Sequence, residues 1–459
     1  MEVVRKTWAT AASIVNGTAQ ASALLAFLLV PSAVTYSAFA ASARILKSAA
    51  VHKLAQALSS NDALLSRHWR TRLREDFCTQ ADTSMGADEA AFHVRSFLYD
   101  CHNDIAREAA LRFLEGGYES VASGSIATVF ALDGVVIKII GDAAHADVEV
   151  AACILDTVAH LLRDTSRRPG EALILSVIAS DLRRQLDMRF EYQALVGAGR
   201  TGARGVRIPV AYDANERVLA MSWIPVEHTL TALSASRIFS ATEWRLFSGA
   251  LFHSDLHIGN ACQVKDSEDV AILDWGSAQS THGVNHRGLF RSSIYCCPRM
   301  LIGCIFPDTD EELIASAVSG CRDPEATPED VTFKAILALA NSGQECSVEA
   351  LRVFIGIGHV AQLYATCGFE PIRYDGDDKA LALRRRLFAV ARLGAMTGPD
   401  GDLWPAACEM FQELRDFQDT EPFDEVVREL SDSLDTHELI RERGLWAPRM
   451  RQALARLAQ

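Results

Sequence analysis

Charged residues are missing from the first part of the chain. No Asp, Glu, Lys or Arg occurs between Lys6 and Arg44, and Glu2 is the only acidic residue before Asp62. This span contains ALLAFLLVPSAVTYSAFAA, a run long enough to cross a bilayer, although Pro31 and many Ala and Ser residues dilute it. The span predicts a membrane-associated helix or a cleavable targeting signal, with a buried structural helix as the third alternative.

Paired cysteines and an excess of basic charge are also lacking. The chain has 11 cysteines and no C-x-x-C pair, so we expect scattered thiols in a reducing compartment, not a disulfide framework or a zinc site. The 45 Lys and Arg residues are outnumbered by 59 Asp and Glu residues, which gives a formal net charge of −14. This balance argues against nucleic acid as a partner.

The pattern of apolar and turn residues predicts two lobes of different composition. A chain of 459 residues exceeds one ordinary domain. SVASGSIATVFALDGVVIKII is typical of a β-hairpin around an Asp-Gly turn, and VRIPVAYD with RVLAMSWI predicts a second hairpin. Helical periodicity dominates residues 144–162, 171–196 and nearly everything after 226. We therefore expect an α+β protein with a small sheet-containing N-lobe and a larger helical C-lobe.

The expected segments follow the same pattern along the chain. They are a targeting or membrane-associated segment (1–50), a helical N-terminal extension (51–118), the N-lobe (119–225) and the C-lobe (226–459).

Two features of the N-lobe suit phosphoryl transfer, in which a protein supplies positioning and charge stabilisation. The stretch ASGS joins strand to strand without a bulky side chain, so backbone N–H groups can approach a phosphate. Its residues, all candidate nucleotide contacts, are Ala122, Ser123, Gly124 and Ser125. Lys138 follows in the middle of VVIKII, where a lysine is poorly placed in a core and is expected to reach an anion.

The stretch FHSDLHIGNACQVKDSEDVAILDWGSA carries the most specific pattern in the chain. Asp255 and Asn260 have the D-x-x-x-x-N spacing of a kinase catalytic loop, with a base first and a metal-binding amide after it. ACQV and VAIL then predict a hairpin that delivers Asp274 of DWG to a magnesium ion. The two histidines of HSDLHIGN have zinc-site spacing, but the glycine after them indicates a loop, which disfavours zinc.

These residues resemble the UbiB-type (aarF-domain-containing, ADCK-like) atypical kinases of prenylquinone metabolism. The family's catalytic loop, H-x-D-x-H-x-G-N, matches HSDLHIGN at every fixed position, and its metal motif D-F-G appears as DWG. Its alanine-rich loop, A-A-A-S-I-x-Q-V, appears as ASGSIATV. The resemblance covers roughly residues 52–278 and implies a bilobal protein-kinase-like fold with ATP and Mg²⁺ as cofactors.

Two further motifs separate this family from other kinases. The family's K-x-G-Q motif appears as KLAQ, which contains Lys53 and Gln56 but has alanine at the glycine position. Its E-x-D…E segment appears as QLDMRFE, with Gln185 for the first glutamate, then Asp187 and Glu191. The resemblance implies that KLAQ and Asp187 lie at the nucleotide site, and that the helical extension folds over the active site.

The resemblance also assigns roles to the site residues. The implied catalytic residues are Asp255, Lys138 and Glu191, and the implied metal ligands are Asn260 and Asp274. Glu191 is the implied partner of Lys138, and Glu149 is the alternative on spacing alone.

The family's partners and location follow as further implications. They are a membrane lipid or prenylquinone precursor and a quinone-biosynthesis protein complex. A mitochondrial or plastid membrane is the expected location, with a bacterial inner membrane as the alternative.

Two other functions stay open at this point. Small-molecule phosphotransferases of the aminoglycoside or choline kinase type also carry H-x-D-x-H-x-x-N and DW after a strand, but they lack the KLAQ and QLDMRFE motifs. A scaffold that binds nucleotide without turnover is the second alternative. Against it, the chain retains Lys138, Asp255, Asn260 and Asp274.

Overall fold

The computed structural model describes residues 85–123, 126–164, 168–200, 205–227, 230–256, 259–321, 326–372, 378–416 and 423–459, and, before these, residues 24, 36, 37, 40, 68, 69, 72 and 73. The described residues fall into two units. The first unit comprises the residues up to Gln193, Val210–Trp223 and Leu337–Gly343; the second comprises Ala194–Pro209, Ile224–Ile336 and Gln344–Gln459. The boundaries expected for the four sequence segments stay a prediction.

Most of the uncharged N-terminal span lies outside the described residues, so its three alternatives stay predictions. Within the part of the chain that is described, no helix has both the length and the apolar character needed to span a bilayer.

The elements up to the end of the first sheet are α1 (Ala87–Asp100), α2 (Asp104–Leu114), β1 (Glu119–Ser123), β2 (Ala127–Leu132), β3 (Val135–Ile140), α3 (Asp142–Asp164), α4 (Pro169–Arg184), α5 (Met188–Gly199), β4 (Val206–Arg207), β5 (Ala211–Ala214) and β6 (Val218–Ser222). The later elements are β7 (Val226–Glu227), α6 (Ala232–Ser248), β8 (Ala261–Val264), β9 (Val270–Ile272), a 3₁₀ turn (Trp275–Ser277), α7 (His286–Tyr295), α8 (Pro298–Ile305), α9 (Glu311–Ser319), α10 (Pro328–Asn341), α11 (Val348–Thr366), α12 (Lys379–Thr397), α13 (Trp404–Asp416), α14 (Phe423–Ser433) and α15 (Arg443–Leu457).

The first unit contains a five-stranded antiparallel sheet with the strand order β1-β2-β3-β6-β5. The predicted hairpin around the Asp-Gly turn is confirmed, since Leu132 pairs with Val135 across it. Asp133 and Gly134 have φ angles of 38° and 88°, the left-handed conformations of a type I′ turn. Glycine reaches such angles without steric cost, so the turn and the register of β3 are set locally.

The core of the first unit lies between α1, α2 and this sheet. The buried residues Ala90, Val94 and Phe97 recur at helical spacing, so they share one face of α1. In α2, Phe113 meets Phe130 of β2 edge-on, with 5.1 Å between ring centroids. Together with Ile137 and Ile139 of β3 these residues form one apolar cluster. The strand that carries Lys138 is therefore anchored on a packed core.

Residues 171–196 were expected to form one helix, but the structure divides them into α4 and α5. The break falls at Gln185–Asp187. The Asp187 carboxylate accepts a hydrogen bond from the backbone N–H of Arg189 at 3.0 Å, which satisfies a donor at the start of α5. Aspartate side chains compete with the helical hydrogen-bond pattern in this way, and apolar periodicity alone does not reveal it.

The second unit combines a four-stranded sheet, of order β4-β9-β8-β7, with most of the helices. The predicted hairpin of ACQV and VAIL is confirmed as β8 and β9. The second predicted hairpin is only partly present, because β5 pairs with β6 while β4 pairs in parallel with β9. Pro209 lies between β4 and β5, and proline has no N–H for a sheet ladder, so the run cannot continue as one strand.

Candidate active site

Lys138 and Glu191 form a buried ion pair in the first unit. Lys138 Nζ donates to Glu191 Oε2 at 2.8 Å and lies 3.1 Å from Oε1, so the ammonium contacts both carboxylate oxygens. The two side chains are only 13% and 5% exposed. This is the pairing that the resemblance implied. The alternative partner Glu149 instead accepts from Arg183 at 3.1 Å.

Strand β3 fixes the lysine at its position. Lys138 pairs with Val129 on one side and with Leu219 on the other, so it stands in a central strand of the sheet. Its neighbours Ile137 and Ile139 are fully buried. The Lys138 side chain itself is only 13% exposed, and an ammonium that is largely withdrawn from water needs a carboxylate to offset its loss of hydration. The pair therefore holds a charged, oriented cation at the centre of β3.

The remaining predicted nucleotide contacts are only partly described. Ala122 and Ser123 end β1, opposite Val129 and Thr128 of β2. Asp187 is held by Arg189, whose Nη2 donates to it at 2.7 Å. Lys53, Gln56, Gly124 and Ser125 lie outside the described residues, so their predicted roles and the contact expected between KLAQ and Asp187 stay predictions.

In the second unit, the predicted catalytic loop and the predicted metal motif are joined by backbone hydrogen bonds. Phe252 N–H donates to Gln279 O at 2.9 Å, and Gln279 N–H donates back at 2.7 Å. Further along, Leu273 N–H donates to Asn260 O at 2.8 Å. Ser254 Oγ–H also donates to Ser277 O. Two stretches of sequence that carry the predicted acidic residues therefore run side by side as one rigid element.

The imidazole of His253 connects these two stretches through hydrogen bonds. Its side chain is fully buried, and Nε2 lies 3.0 Å from Leu273 O, which can only accept. Nδ1 accepts from the N–H of Asp255 at 3.3 Å. Burial lowers the pKa of His253 below its usual value, which agrees with a neutral ring that carries its proton on Nε2. His253 thus sets the backbone path into Asp255.

Asn260 is oriented by the residue that begins the motif. Its Nδ2 donates to Asp255 O at 3.0 Å, and the residue is only 8% exposed. Because the amide nitrogen is used in this contact, the amide oxygen is the atom that Asn260 can offer to a cation. Asp274, the other predicted metal ligand, also offers oxygen atoms, and oxygen ligands are what Mg²⁺ prefers.

Asp274 has a strained backbone. Its φ and ψ angles are 55° and 72°, in the left-handed region that residues other than glycine rarely occupy. The buried Trp275 anchors the turn, since its Nε1–H donates to Ile272 O at 3.0 Å. The guanidinium of Arg245 lies 4.9 Å from the centre of the Trp275 ring. Strain of this kind is typical of functional sites, where the surrounding structure holds one side chain in place.

Helix α11 supplies two residues that sequence reasoning missed. His359 Nδ1–H donates to Ser254 O at 2.8 Å and lies 3.8 Å from Asp255 Oδ1. One turn earlier, Gly356 faces the same loop, and a Cβ built on it would lie 2.7 Å from Ser254 Cα. Both residues hold the backbone next to Asp255. A glycine in the apolar helix sequence FIGIGHVAQ was the available signal of such a close approach.

Replacing Gly356 by alanine should destabilise the protein, because the added methyl group meets backbone that is itself fixed by hydrogen bonds. We expect a loss of about 1–3 kcal/mol in the free energy of unfolding, measured by denaturant titration. Gly358→Ala is the matched control, since nothing lies within 4 Å of its Cβ position. In that control the free energy of unfolding should rise by up to about 1 kcal/mol, because alanine has a higher helix propensity than glycine. Equal changes in the free energy of unfolding of the two variants would show that Gly356 is not in close contact with the backbone at Ser254.

The region that contains Lys138, Glu191, Asp255, Asn260 and Asp274 matches the model of a known family. The family model described as ABC1 atypical kinase-like domain matches residues 100–297. No curated protein matches the chain. Among solved structures, the Rv3197–erythromycin complex from Mycobacterium tuberculosis matches at 18% identity and a TM-score of 0.34, over 46% of this chain and 61% of that chain. The match spans less than two thirds of that protein, and the similarity is too low for its ligand to bear on this chain.

The fold and the matched region define a kinase-like protein of mixed α+β architecture, as the sequence predicts. The match over residues 100–297 confirms the predicted resemblance to UbiB-type atypical kinases and the bilobal kinase-like fold. The roles of the individual site residues stay predictions.

Proposed function

We propose that this protein is an ATP- and Mg²⁺-dependent atypical kinase or ATPase. The observation that carries the proposal is the buried pair of Lys138 and Glu191, with 2.8 Å between Nζ and Oε2. A carboxylate at this distance keeps the lysine charged and fixes its direction, which is what a cation that binds nucleotide phosphates requires. The retained Asp255, Asn260 and Asp274 support an active site over a nucleotide-binding scaffold.

Each side chain has a defined task in this proposal. Lys138 binds phosphate oxygens of ATP while Glu191 orients it. Asn260 and Asp274 hold Mg²⁺, which neutralises charge on the phosphates when bound. Asp255 accepts the proton of the attacking hydroxyl or water, and His253 and His359 keep its backbone in position. The protein thus contributes positioning and electrostatics, the two terms that dominate phosphoryl transfer.

The finer proposal is a UbiB-like role in prenylquinone biosynthesis or lipid handling at a membrane. The KLAQ and QLDMRFE motifs support it, because aminoglycoside and choline kinases lack them. The uncharged span between Lys6 and Arg44 supports the membrane location. A mitochondrial or plastid membrane remains the proposed compartment, with a quinone-biosynthesis complex as the proposed protein partner.

Phosphate release from ATP by the full-length protein tests both levels of the proposal. We expect Mg²⁺-dependent release that rises when vesicles containing a polyprenylated aromatic quinone precursor are added. Asp255→Asn should lower the rate by about 100-fold or more while nucleotide binding persists, because only the proton acceptor is lost. Cosedimentation with the same vesicles tests the membrane location.

Three results would contradict parts of this proposal. An Asp255→Asn variant that is as fast as the unchanged protein excludes Asp255 as the base. Transfer of phosphate to soluble aminoglycosides or choline, without a lipid effect, indicates the small-molecule phosphotransferase. Binding of Mg-ATP without any turnover indicates the scaffold.

A further inference from the structure

Three side chains of the kinds that can bind metal ions lie close together in the first unit, outside the candidate active site. They are Glu89 and His93 of α1 and Asp142 at the start of α3. One ligand atom from each lies within 4.8 Å of the other two. Glu89 and His93 are four positions apart in the helix, so both side chains project from the same face. The third ligand comes from a different element, as in most built metal sites.

The buried imidazole of His93 is an independent observation that points to a cation at this position. His93 is only 5% exposed, and its Nε2 has no hydrogen-bond partner among the described residues. The nearest acidic atom, Asp142 Oδ1, lies 3.4 Å away. Buried polar nitrogens are almost always satisfied, because an unsatisfied one costs free energy. Nε2 of His93 therefore lies beside the Asp142 carboxylate without making a hydrogen bond to it.

The carboxylate of Glu89 is fixed by a hydrogen bond, whereas that of Asp142 is exposed to solvent. Glu89 Oε1 accepts from the N–H of Asp142 at 2.7 Å, which ties its carboxylate to the start of α3. Gly141 makes room for it, since a Cβ there would lie 3.1 Å from Glu89 Oε1. The Asp142 side chain is 67% exposed, so an ion and its water ligands can reach the site from solvent.

We propose that Glu89, His93 and Asp142 form a site for a divalent transition-metal ion, of which Zn²⁺ is the representative. One imidazole nitrogen and two carboxylate oxygens suit Zn²⁺ or Mn²⁺, whereas Mg²⁺ prefers oxygen ligands only. Arg217 Nη1 lies 3.8 Å from Asp142 Oδ1 and competes for that carboxylate, so the affinity is weaker than at an all-cysteine site. A bound ion would tie α1 to α3 just beyond the strand that carries Lys138.

Zinc titration of the metal-free full-length protein, without nucleotide, tests this site independently of the proposed function. Calorimetry should show one saturable Zn²⁺ site per chain. His93→Gln and Asp142→Asn should each weaken it by at least about tenfold, because each removes a ligand. His160→Gln is the matched control, since His160 and Asp164 form a similar pair 3.1 Å apart on α3, and it should bind as the unchanged protein does.

Cobalt substitution identifies the ligand atoms. Because the chain has 11 cysteines, thiolates are the competing ligands, and they give an intense sulfur-to-cobalt charge-transfer band. We expect weak visible bands of bound Co²⁺ without that charge-transfer band. These bands should be lost in Asp142→Asn. Because the Asp142 side chain is exposed, this substitution should not disturb folding, so misfolding would not explain the loss. The proposal is overturned if Zn²⁺ binding is absent, if it persists in Asp142→Asn and His93→Gln, or if the cobalt spectrum shows thiolate ligation.

Discussion

Replacing Asp274 by asparagine is expected to lower ATP turnover by about 100-fold or more and to remove Mg²⁺-dependent nucleotide binding. The change removes one negative charge from the proposed metal site but keeps the shape of the side chain. Asparagine, like aspartate, tolerates the left-handed backbone found at this position, with φ of 55°. The fold should therefore survive, and the loss should appear only when Mg-ATP is added. Thermal-shift measurements with ATP, with and without Mg²⁺, provide the readout.

Asp266→Asn is the matched control for this prediction. Asp266 has a similar backbone conformation, with φ of 53°, and is exposed in the turn between β8 and β9. It should retain full turnover and full Mg-ATP stabilisation. If Asp274→Asn keeps the same Mg-ATP stabilisation as this control, Asp274 is not a metal ligand.

Replacing Lys138 by methionine is expected to lower both the free energy of unfolding and the affinity for nucleotide. The change leaves the Glu191 carboxylate, only 5% exposed, without its ammonium partner. Breaking a buried ion pair from one side typically costs about 3–5 kcal/mol, because the remaining buried charge loses the opposite charge that offset its desolvation. ATP binding should also be lost, since the proposed phosphate-binding cation is gone. Denaturant titration and calorimetric ATP titration measure the two effects separately.

The double variant Lys138→Met/Glu191→Gln separates the two roles. Removing the second charge should recover most of the stability, because the buried carboxylate that lost its ammonium is then replaced by a neutral amide. Nucleotide binding should stay lost, since nothing replaces the ammonium. A double variant that binds ATP as tightly as the unchanged protein would assign Lys138 a structural role only.

Local sequence signals predicted the parts of the site whose geometry is set within a few residues. The hairpin of β2 and β3 follows from the Asp133-Gly134 turn, and that turn places Lys138 in its strand. The hairpin of β8 and β9 follows from two short apolar runs between Asn260 and Asp274. In both cases the information is a turn and an alternation, which short-range backbone sterics enforce.

Contacts between distant parts of the chain needed the folded structure. Spacing left Glu149 and Glu191 as alternatives for Lys138, and only the folded structure, in which Glu191 contacts Lys138 and Glu149 contacts Arg183, decides between them. The separation of β4 from β5 was missed because β4 gains its hydrogen bonds from β9, more than sixty residues later. A local pattern of strand-forming residues does not indicate which distant strand will pair with it.

The sequence by itself determined the resemblance to atypical kinases, the α+β architecture and the identity of the candidate residues, because the motif spacings are local and specific. Only the tertiary structure decided which other side chains lie next to the candidate residues and which form new clusters. It brought His359 and Gly356 of α11 against the backbone beside Asp255, and it brought Asp142 beside His93. These placements depend on how helices pack through their side-chain surfaces, and that packing is settled only when the whole core forms.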